Sequence, residues 1–506
     1  MFIELDRESH IPLYTQIVEQ VRDMIAGGTL SAGDRLPANR ELAKALGVNR
    51  TTVTTAYAEL AADGLISSEV GRGTFVSNAP AHRKKSGGLE RAQPSPMSWN
   101  ALLTEQSRNP WLSGVLHQRP GEETISFAYS LPQSDLFPLD DFRRSVDRVL
   151  RKEGRVLLQL GLSNGYGPLQ EYLVSQMALS GIRVSAEEVL ITNGCQQSLD
   201  LIRRILVGPG DEVAIENPTY PGALSVFCGG NNKYVSVPVG ERGMDLDVLE
   251  DVLSQRRIKL IYAIPSFHNP TGATMDTQAR RRLIELAARH RVPIVEDDIY
   301  REMRYTGAAL PSLKALDRYG LVIYVNSFSK VGFPGLRVGW IAAPPVVINH
   351  LNRAKEEVDL HASLLTQAAI YEFSRHGLLA KHIKRVKKVY VRHRDIMLEA
   401  LEKYFPEEAA WDIPEGGMAV WVRLPESLNA SQILVRSAEQ GVIFSPGHYF
   451  YSSMPQQNMM RLSFTMTSPV LIEEGIKRLG GVVKSCLSLV RNRRATSAAD
   501  VFRALV

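Results

Sequence analysis

Lys330 stands in the stretch Ser327-Phe328-Ser329-Lys330, with Pro334-Gly335-Leu336-Arg337 close behind. A deprotonated lysine amine is a nucleophile toward carbonyl carbon. The hydroxyls of Ser327 and Ser329 and the forked guanidinium of Arg337 would clamp a phosphate beside it. The apolar run before them, Leu321 to Val325, reads as a buried parallel strand. A lysine beyond such a strand faces the crevice in which α/β sheets bind ligands. An amine nucleophile next to a phosphate clamp suits pyridoxal 5′-phosphate, whose aldehyde a lysine holds as a Schiff base.

That cofactor makes three further demands: an anion for its ring nitrogen, a donor for its phenolic oxygen and a cradle for its phosphate. Asp297 ends the apolar run Val292-Pro293-Ile294-Val295-Glu296 and supplies the anion. Tyr300, three residues later, and Asn269, in Asn269-Pro270-Thr271-Gly272, supply donors. Thr192-Asn193-Gly194-Cys195-Gln196-Gln197 leads from a strand into a helix expected over Ser198 to Leu206. Free N–H groups at a helix start, with its dipole, bind phosphate. Tyr220, in Asn217-Pro218-Thr219-Tyr220-Pro221, is placed to stack on the ring. Singly each item is commonplace: a turn, a helix cap, a packed Cys195, a structural His268. Their order and context join them.

Elements that could position these residues alternate along most of the chain. From about residue 123, apolar strands alternate with amphipathic helices, the pattern of a mostly parallel α/β sheet. Strands are expected over Glu188 to Thr192, Glu212 to Glu216, Lys259 to Ile264, Pro293 to Asp297 and Leu321 to Ser327. Long helices follow from about 346, then a strand-like run, Met418 to Leu424, consistent with a smaller α+β subdomain. The reading is of several domains: 1–78 a mostly helical head, 79–122 a polar linker with a short helix near Trp99, 123–345 the large α/β domain, 346–480 the small subdomain and 481–506 a basic tail.

The bulk numbers fit a multidomain soluble protein. The chain has 506 residues, 44% of them hydrophobic and 22% charged, values ordinary for a globular protein. Three cysteines are scattered without a CxxC pair, which points away from disulfides and zinc and toward a reducing cytoplasm. Met1 to Asp6 has no basic region leading an apolar core, so no signal peptide is expected. No long uncharged apolar run is present, so no membrane span is expected.

The head has its own pattern. Leu13, Ile17, Val21 and Ile25 repeat at helical spacing. A second helix is expected over Arg40 to Leu46, capped by Asn39, then a Gly47-Val48 turn. A third, capped by Asn49, is expected from Arg50 to about Asp63. Two helices joined by a short glycine turn form a helix-turn-helix. Arg50, Thr51 and Thr52 would then meet base edges in the major groove. Residues Leu65 to Val76 read as a hairpin with Arg72 at its tip. Charge opposes this reading, because residues 1–76 carry seven Lys/Arg against ten Asp/Glu, a net of −3. A basic domain is the usual footprint of DNA binding. The positive charge is local, however: Arg35, Arg40, Lys44 and Arg50 fall within sixteen positions. A helical dimerisation module is the alternative from pattern alone.

Two resemblances extend these readings. Asp34-Arg35-Leu36-Pro37, Arg40-Glu41-Leu42-Ala43, Leu46 to Val53, Ala56-Tyr57 and Gly71 to Val76 resemble the winged helix-turn-helix of GntR-type bacterial repressors. The resemblance implies DNA contacts at Arg35, Arg40, Arg50, Thr52 and Gly71. Residues about 123 to 480 resemble fold type I aminotransferases, with Gly194-Cys195-Gln196, Tyr220, Asn269, Asp297, Tyr300, Lys330 and Arg337 on family motif positions. That resemblance implies a substrate-carboxylate arginine at Arg461, and at Tyr166 a tyrosine lent to the neighbouring subunit's phosphate site. The two halves in this order resemble the MocR family of transcription regulators. This implies a homodimer, described as head-to-tail, that binds promoter half-sites in double-stranded DNA and senses the cofactor or an amino compound without a metal. A working aminotransferase with a DNA-binding head and a bare dimer scaffold are the other readings; the complete constellation disfavours the scaffold.

Overall fold

Buried strands and helical stripes in the sequence set two separate cores. The structure is a computed structural model. It describes residues 3, 5, 12–26, 30, 33–62, 65–69, 73–77, 124–229 and 232–504, without the side chains of 23, 26, 62, 68, 69 and 493–504. The chain divides into two compact units, Met1–Ser98 and Trp99–Val506.

In the first unit, helices Leu13–Ala26, Asn39–Leu46 and Arg50–Ala62 pack with a three-stranded antiparallel sheet. Its strands lie in the order Arg35–Leu36, Gly73–Val76, Ile66–Glu69. Ile17, Val21, Leu42, Val53, Ala56, Leu60, Ile66 and Val76 close the core. Tyr57 Oη donates to Pro37 O at 2.9 Å, tying the third helix to the loop before the second. Asn39 departs from its expected role. Ala38 occupies the cap position, and Glu41 accepts from Ala38 N at 3.2 Å. Asn39 is the first helical residue, and its Nδ2 donates to Thr54 Oγ1 at 3.1 Å, where it bridges two helices. Asn49 does cap the third helix, accepting from Thr51 N at 3.3 Å.

The second unit holds an eight-stranded sheet in the order Val189–Thr192, Gly339–Ala342, Val322–Ser327, Ile294–Asp297, Ile258–Ala263, Glu212–Asn217, Lys233–Gly240, Gly243–Met244. Gly339–Ala342 runs antiparallel to both neighbours, and Gly243–Met244 is antiparallel at the other edge. The strands 322–327, 294–297, 258–263, 212–217 and 233–240 run parallel to their neighbours within that set. Helices cover both faces, so the central strands are buried throughout, which is why they read as continuous apolar runs. A four-stranded antiparallel sheet, ordered Ala410–Trp411, Ala419–Arg423, Met459–Ser463, Ser445–Pro446, forms the smaller subdomain.

The stretch 481–504 is not a separate tail. It continues one helix, Pro469–Ala504. Ile472, Ile476, Leu479, Val483 and Leu487 stay buried at helical spacing across residue 480, so the apolar stripe that holds the helix does not stop there. The linker, with the helix expected near Trp99, lies outside the described residues. No described helix is long and apolar enough to cross a membrane.

Candidate functional site: a cavity at the carboxyl ends of the large sheet

Lys330, Asp297, Tyr300, Asn269, Cys195, Gln196, Tyr220, Ser327, Ser329, Arg337 and Arg461 line one cavity of about 510 Å³. Most sit just past the carboxyl ends of strands, where the loops of an α/β sheet converge. A second cavity, of about 520 Å³, lies among Tyr172, Tyr305 and Trp340, and of these residues contains only Ser327.

Asp297 ends its strand and is 2% exposed. Its Oδ2 accepts from Tyr262 Oη at 2.8 Å and from Cys195 Sγ at 3.4 Å. Its Oδ1 is buried and has no partner among the described residues. Burial pushes the Asp297 carboxyl up to about 6, against the pull of those two donors. A protonated ring nitrogen would satisfy Oδ1, so the site fits the pyridinium of pyridoxal 5′-phosphate. Burial also pushes the Tyr300 phenol up to about 12, which keeps it a proton donor. Cys195 is raised well above the usual thiol range, chiefly by burial, so it is a packed donor to Asp297 rather than a nucleophile.

Backbone and side chains meet at the end of the cavity where the sequence predicts a phosphate cradle. Gly194 has φ +90° and precedes the helix Cys195–Leu206, which starts three residues earlier than the sequence implied. A Cβ at Gly194 would lie 2.4 Å from Arg337 Nη2. Arg337 donates to Asn193 O at 3.1 Å and to Ser329 Oγ at 3.4 Å, so it bridges the two loops of the cradle. Ser327 Oγ accepts from Ser329 N at 3.2 Å. Gln196 Oε1 accepts from Tyr220 Oη at 3.3 Å, which fixes the ring wall against the helix start. Gly339 belongs here too, though no motif marked it: a Cβ there would meet Gly194 Cα at 2.8 Å.

Half-buried Lys330 and buried Arg461 are held by a strap. Residues 124–131 are the first described after the linker. Ile125–Ser126 pairs with Val442–Ile443, and Ser463 N donates to Phe127 O at 2.8 Å. Lys330 Nζ donates to Ser130 O at 2.7 Å. Arg461 Nη2 donates to Ala128 O at 2.7 Å, and its Nη1 to Asn269 Oδ1 at 2.8 Å. Desolvation, then the nearby Arg461 charge, holds the Lys330 amine down to about 8. Ala128 and Ser130 were invisible to motif reading, because they act through carbonyls that any residue carries.

Tyr166 is not at this cavity within one chain. Its Oη donates to Glu153 Oε2 at 2.8 Å, and its N to Gln367 Oε1 at 2.8 Å. In the head, Arg35, Arg40, Lys44, Arg50 and Thr51 are exposed and Thr52 is partly so. Arg35 lies against the hairpin, with its Nε 3.0 Å from where a Cβ of Gly73 would sit. Gly71 and Arg72 lie outside the described residues.

Residues 128–479 match the family described as Aminotransferase class I and II, and residues 13–76 match Bacterial regulatory proteins, gntR family. Fold and matches define a class: a DNA-binding regulator head fused to a fold type I aminotransferase domain. The chain is 32% identical over 480 residues to the "Probable rhizopine catabolism regulatory protein MocR" of Rhizobium meliloti, covering 94% of each chain. It belongs to the MocR-type regulators, whose large domain is of the class I and II aminotransferase family. It is also 39% identical over 403 residues to a 2-aminoadipate transaminase of Thermus thermophilus, covering 78% of this chain and all of that one. The solved α-aminoadipate aminotransferase LysN of Thermus thermophilus, complexed with N-(5′-phosphopyridoxyl)-L-leucine, superposes with a TM-score of 0.73 at 37% identity, again over 78% and 100%.

Proposed function

We propose that this protein is a cytoplasmic transcription regulator whose large domain binds pyridoxal 5′-phosphate through Lys330 and senses an amino compound there. Bound in this cavity, the cofactor supplies an aldehyde open to amines and an electron-withdrawing ring. Asp297 would hold its ring nitrogen, Asn269 and Tyr300 its phenolic oxygen, Tyr220 its face, and Ser327, Ser329, Arg337 and the Gly194–Gln196 backbone its phosphate.

One observation carries the sensing reading. The Lys330 ammonium and the Arg461 guanidinium are held by the carbonyls of Ser130 and Ala128. Both carbonyls belong to the strap that continues directly from the linker to the head. Lys330 would leave Ser130 O for the cofactor's aldehyde, and an amino acid would displace that lysine, returning it to the strap, while its carboxylate competes with Ala128 O for Arg461. Binding energy inside the cavity is thereby spent on the segment tethered to the head, and a ligand shifts an equilibrium by its differential affinity for the two arrangements. The second reading, an aminotransferase with repeated turnover, is favoured by the complete set of Lys330, Asp297 and Tyr300 in one cavity.

The test is DNA affinity of the full chain, by fluorescence anisotropy on the duplex upstream of its own gene. The cofactor with an amino-acid panel should change Kd by about 5- to 150-fold; an unchanged Kd across the panel overturns the sensor reading. In the same assay, Arg50→Ala should weaken binding by about 10- to 100-fold, the loss of one base or phosphate contact at the start of the recognition helix. Multiple turnovers with a 2-oxo acid, at unchanged DNA affinity, would establish the enzyme instead.

The protein is further proposed to be a homodimer. Val156, Leu158, Leu160 and Leu162 are each at least 70% exposed and lie just before Tyr166. An exposed apolar run of this kind marks an interaction surface. A second copy covering it would bring Tyr166 toward the neighbouring phosphate site and pair two heads on two half-sites. Sedimentation of the full chain should give a dimer, and a monomer at micromolar concentration would remove this part.

A further inference from the structure

The second cavity, bordered by helices Gly167–Leu179 and Leu378–Tyr404, has an apolar wall and a basic mouth. Leu173, Met177, Ile182, Phe328, Val331 and Trp340 are buried and supply the wall. Its volume of about 520 Å³ falls in the range of roughly 300–1,000 Å³ for small-molecule sites. The recess shares no residue with Val156 to Leu162, the surface proposed above for a second copy.

Lys384, Lys387 and Lys388 border the recess from one face of the second helix, at i, i+3 and i+4. None of the three pairs with a carboxylate among the described residues. Arg304, the remaining cation among the described lining residues, is already held by Glu415 Oε2 at 2.8 Å. Glu302 is the one acidic residue of that lining. Three unpaired lysines therefore stand against one carboxylate. A lysine stripe on a helix is ordinarily a solvated face. Here its stems and its charges border an apolar recess, which suits a molecule with an apolar body and an anionic end.

The wall also reaches the Lys330 turn from behind. Ser327, Phe328 and Val331 line this recess, whereas Ser327, Ser329 and Lys330 line the other cavity. Gly332 N donates to Phe328 O at 3.1 Å and closes the turn. Phe328 packs on Trp340, with ring centroids 5.2 Å apart. One tight turn thus presents side chains to both cavities, and a ligand that shifts Phe328 or Val331 shifts Lys330 with them.

We propose that this recess binds a small organic anion with an apolar body, of the aliphatic or aryl carboxylate type, and that its occupancy is coupled to Lys330 through residues 327–331. The coupling, but not the site, rests on the reading of the other cavity as a cofactor site.

The experiment uses the full chain without cofactor and follows the fluorescence of anilinonaphthalene sulfonate, an aromatic anion that brightens in apolar surroundings. Octanoate, phenylbutyrate, octanol and inorganic phosphate are titrated separately as competitors. Octanoate or phenylbutyrate should displace the probe at a concentration at least about tenfold lower than octanol does, and phosphate, which has no apolar body, should not displace it. Lys384→Gln, Lys387→Gln and Lys388→Gln combined should erase the preference for the anions and leave octanol unmoved. Ala380→Trp, on the exposed edge of the recess, should weaken the probe and every organic competitor. Octanol as effective as octanoate on the wild type, or probe binding unchanged in both variants, overturns the site. Repeated with the cofactor bound, octanoate affinity should change by about 5- to 150-fold; an unchanged affinity overturns the coupling. A chain that develops no cofactor spectrum overturns the cofactor reading and the coupling together, and the titration without cofactor still decides the site.

Discussion

Lys330→Ala should lose the covalent hold on pyridoxal 5′-phosphate. The wild-type chain reconstituted with the cofactor is expected to be yellow and to stay so through dialysis. The variant should release the cofactor, with apparent affinity lower by roughly a hundredfold, or about 3 kcal/mol. Its remaining contacts, the Gly194 loop, Arg337 and Asp297, would still give weak binding, so a reversible spectral change at high cofactor concentration is expected. A variant that keeps its colour through dialysis would remove Lys330 from the role. The wild type adds a pH signature. The neutral amine is the form that attacks a carbonyl. Desolvation and the neighbouring Arg461 charge lower this amine from 10.5 to about 8. The neutral fraction therefore climbs from about a tenth at pH 7 to about nine-tenths at pH 9. The rate of cofactor capture by the wild type should rise about tenfold over that interval, and a flat profile would place the amine elsewhere.

Residues that the cofactor would touch were readable because each has a demanded type at a strand end. An amine, an anion and phosphate donors leave few choices of side chain, and the apolar runs before Asp297 and Lys330 marked where the strands stop. Residues that hold those side chains in place were not readable. Tyr262 reaches Asp297 from the neighbouring strand, 35 residues away in sequence, and nothing local distinguishes it from a core tyrosine. Ser130 and Ala128 act through backbone, which has no residue signature. Gly339 matters because two backbones cross at the cradle, a fact of sheet order. The strand it begins, Gly339–Ala342, is short and carries Trp340, so it gave no alternating pattern. In the head, Asn39 has the right type for a cap but stands one residue too late, because Ala38 and Glu41 complete the turn. Beyond residue 480 the basic cluster suggested a tail, while the buried stripe of Val483 and Leu487 continued the helix.

Under the proposed sensing role, the strap would give a use to the whole set of cavity residues. Lys330 and Arg461 are satisfied by Ser130 O and Ala128 O, so the half-buried ammonium and the buried guanidinium are not left without acceptors. Lys330 would give up the first of these bonds to the cofactor's aldehyde, and an amino acid would release the lysine again while its carboxylate competes for the second. In the proposed sensor, their strength would set the threshold concentration at which the amino compound is felt, and their position on the chain would set where that event is passed on.

Asp297→Asn should weaken cofactor binding and stabilise the cofactor-free protein. The carboxylate is buried, with Oδ2 satisfied by Tyr262 and Cys195 and Oδ1 open. Replacing it by an amide keeps the shape and an acceptor for Tyr262 but removes the charge that faces the ring nitrogen. A hydrogen bond to a charged group contributes about 1.5–3 kcal/mol, so cofactor affinity at pH 7.5 should fall by about 10- to 150-fold. The pH dependence separates this role from a merely structural one. Burial raises Asp297 from 3.8 to about 6. Wild-type affinity should therefore fall as pH drops through about 6 and the carboxylate takes a proton, and Asp297→Asn should lack that step. Stability moves the other way. Between about 3.8 and 6 the folded cofactor-free chain binds more protons at this residue than the unfolded chain does. Its contribution is present at low pH and is lost as pH rises through 6. Above pH 6 the buried charge therefore costs the cofactor-free protein up to about 3 kcal/mol, and the amide removes that cost. Thermal unfolding of the cofactor-free chain at pH 7.5 should show a higher Tm for Asp297→Asn than for wild type. A lower Tm together with an unchanged cofactor titration would mean that Asp297 is a packing residue, and that its open oxygen faces nothing the protein binds.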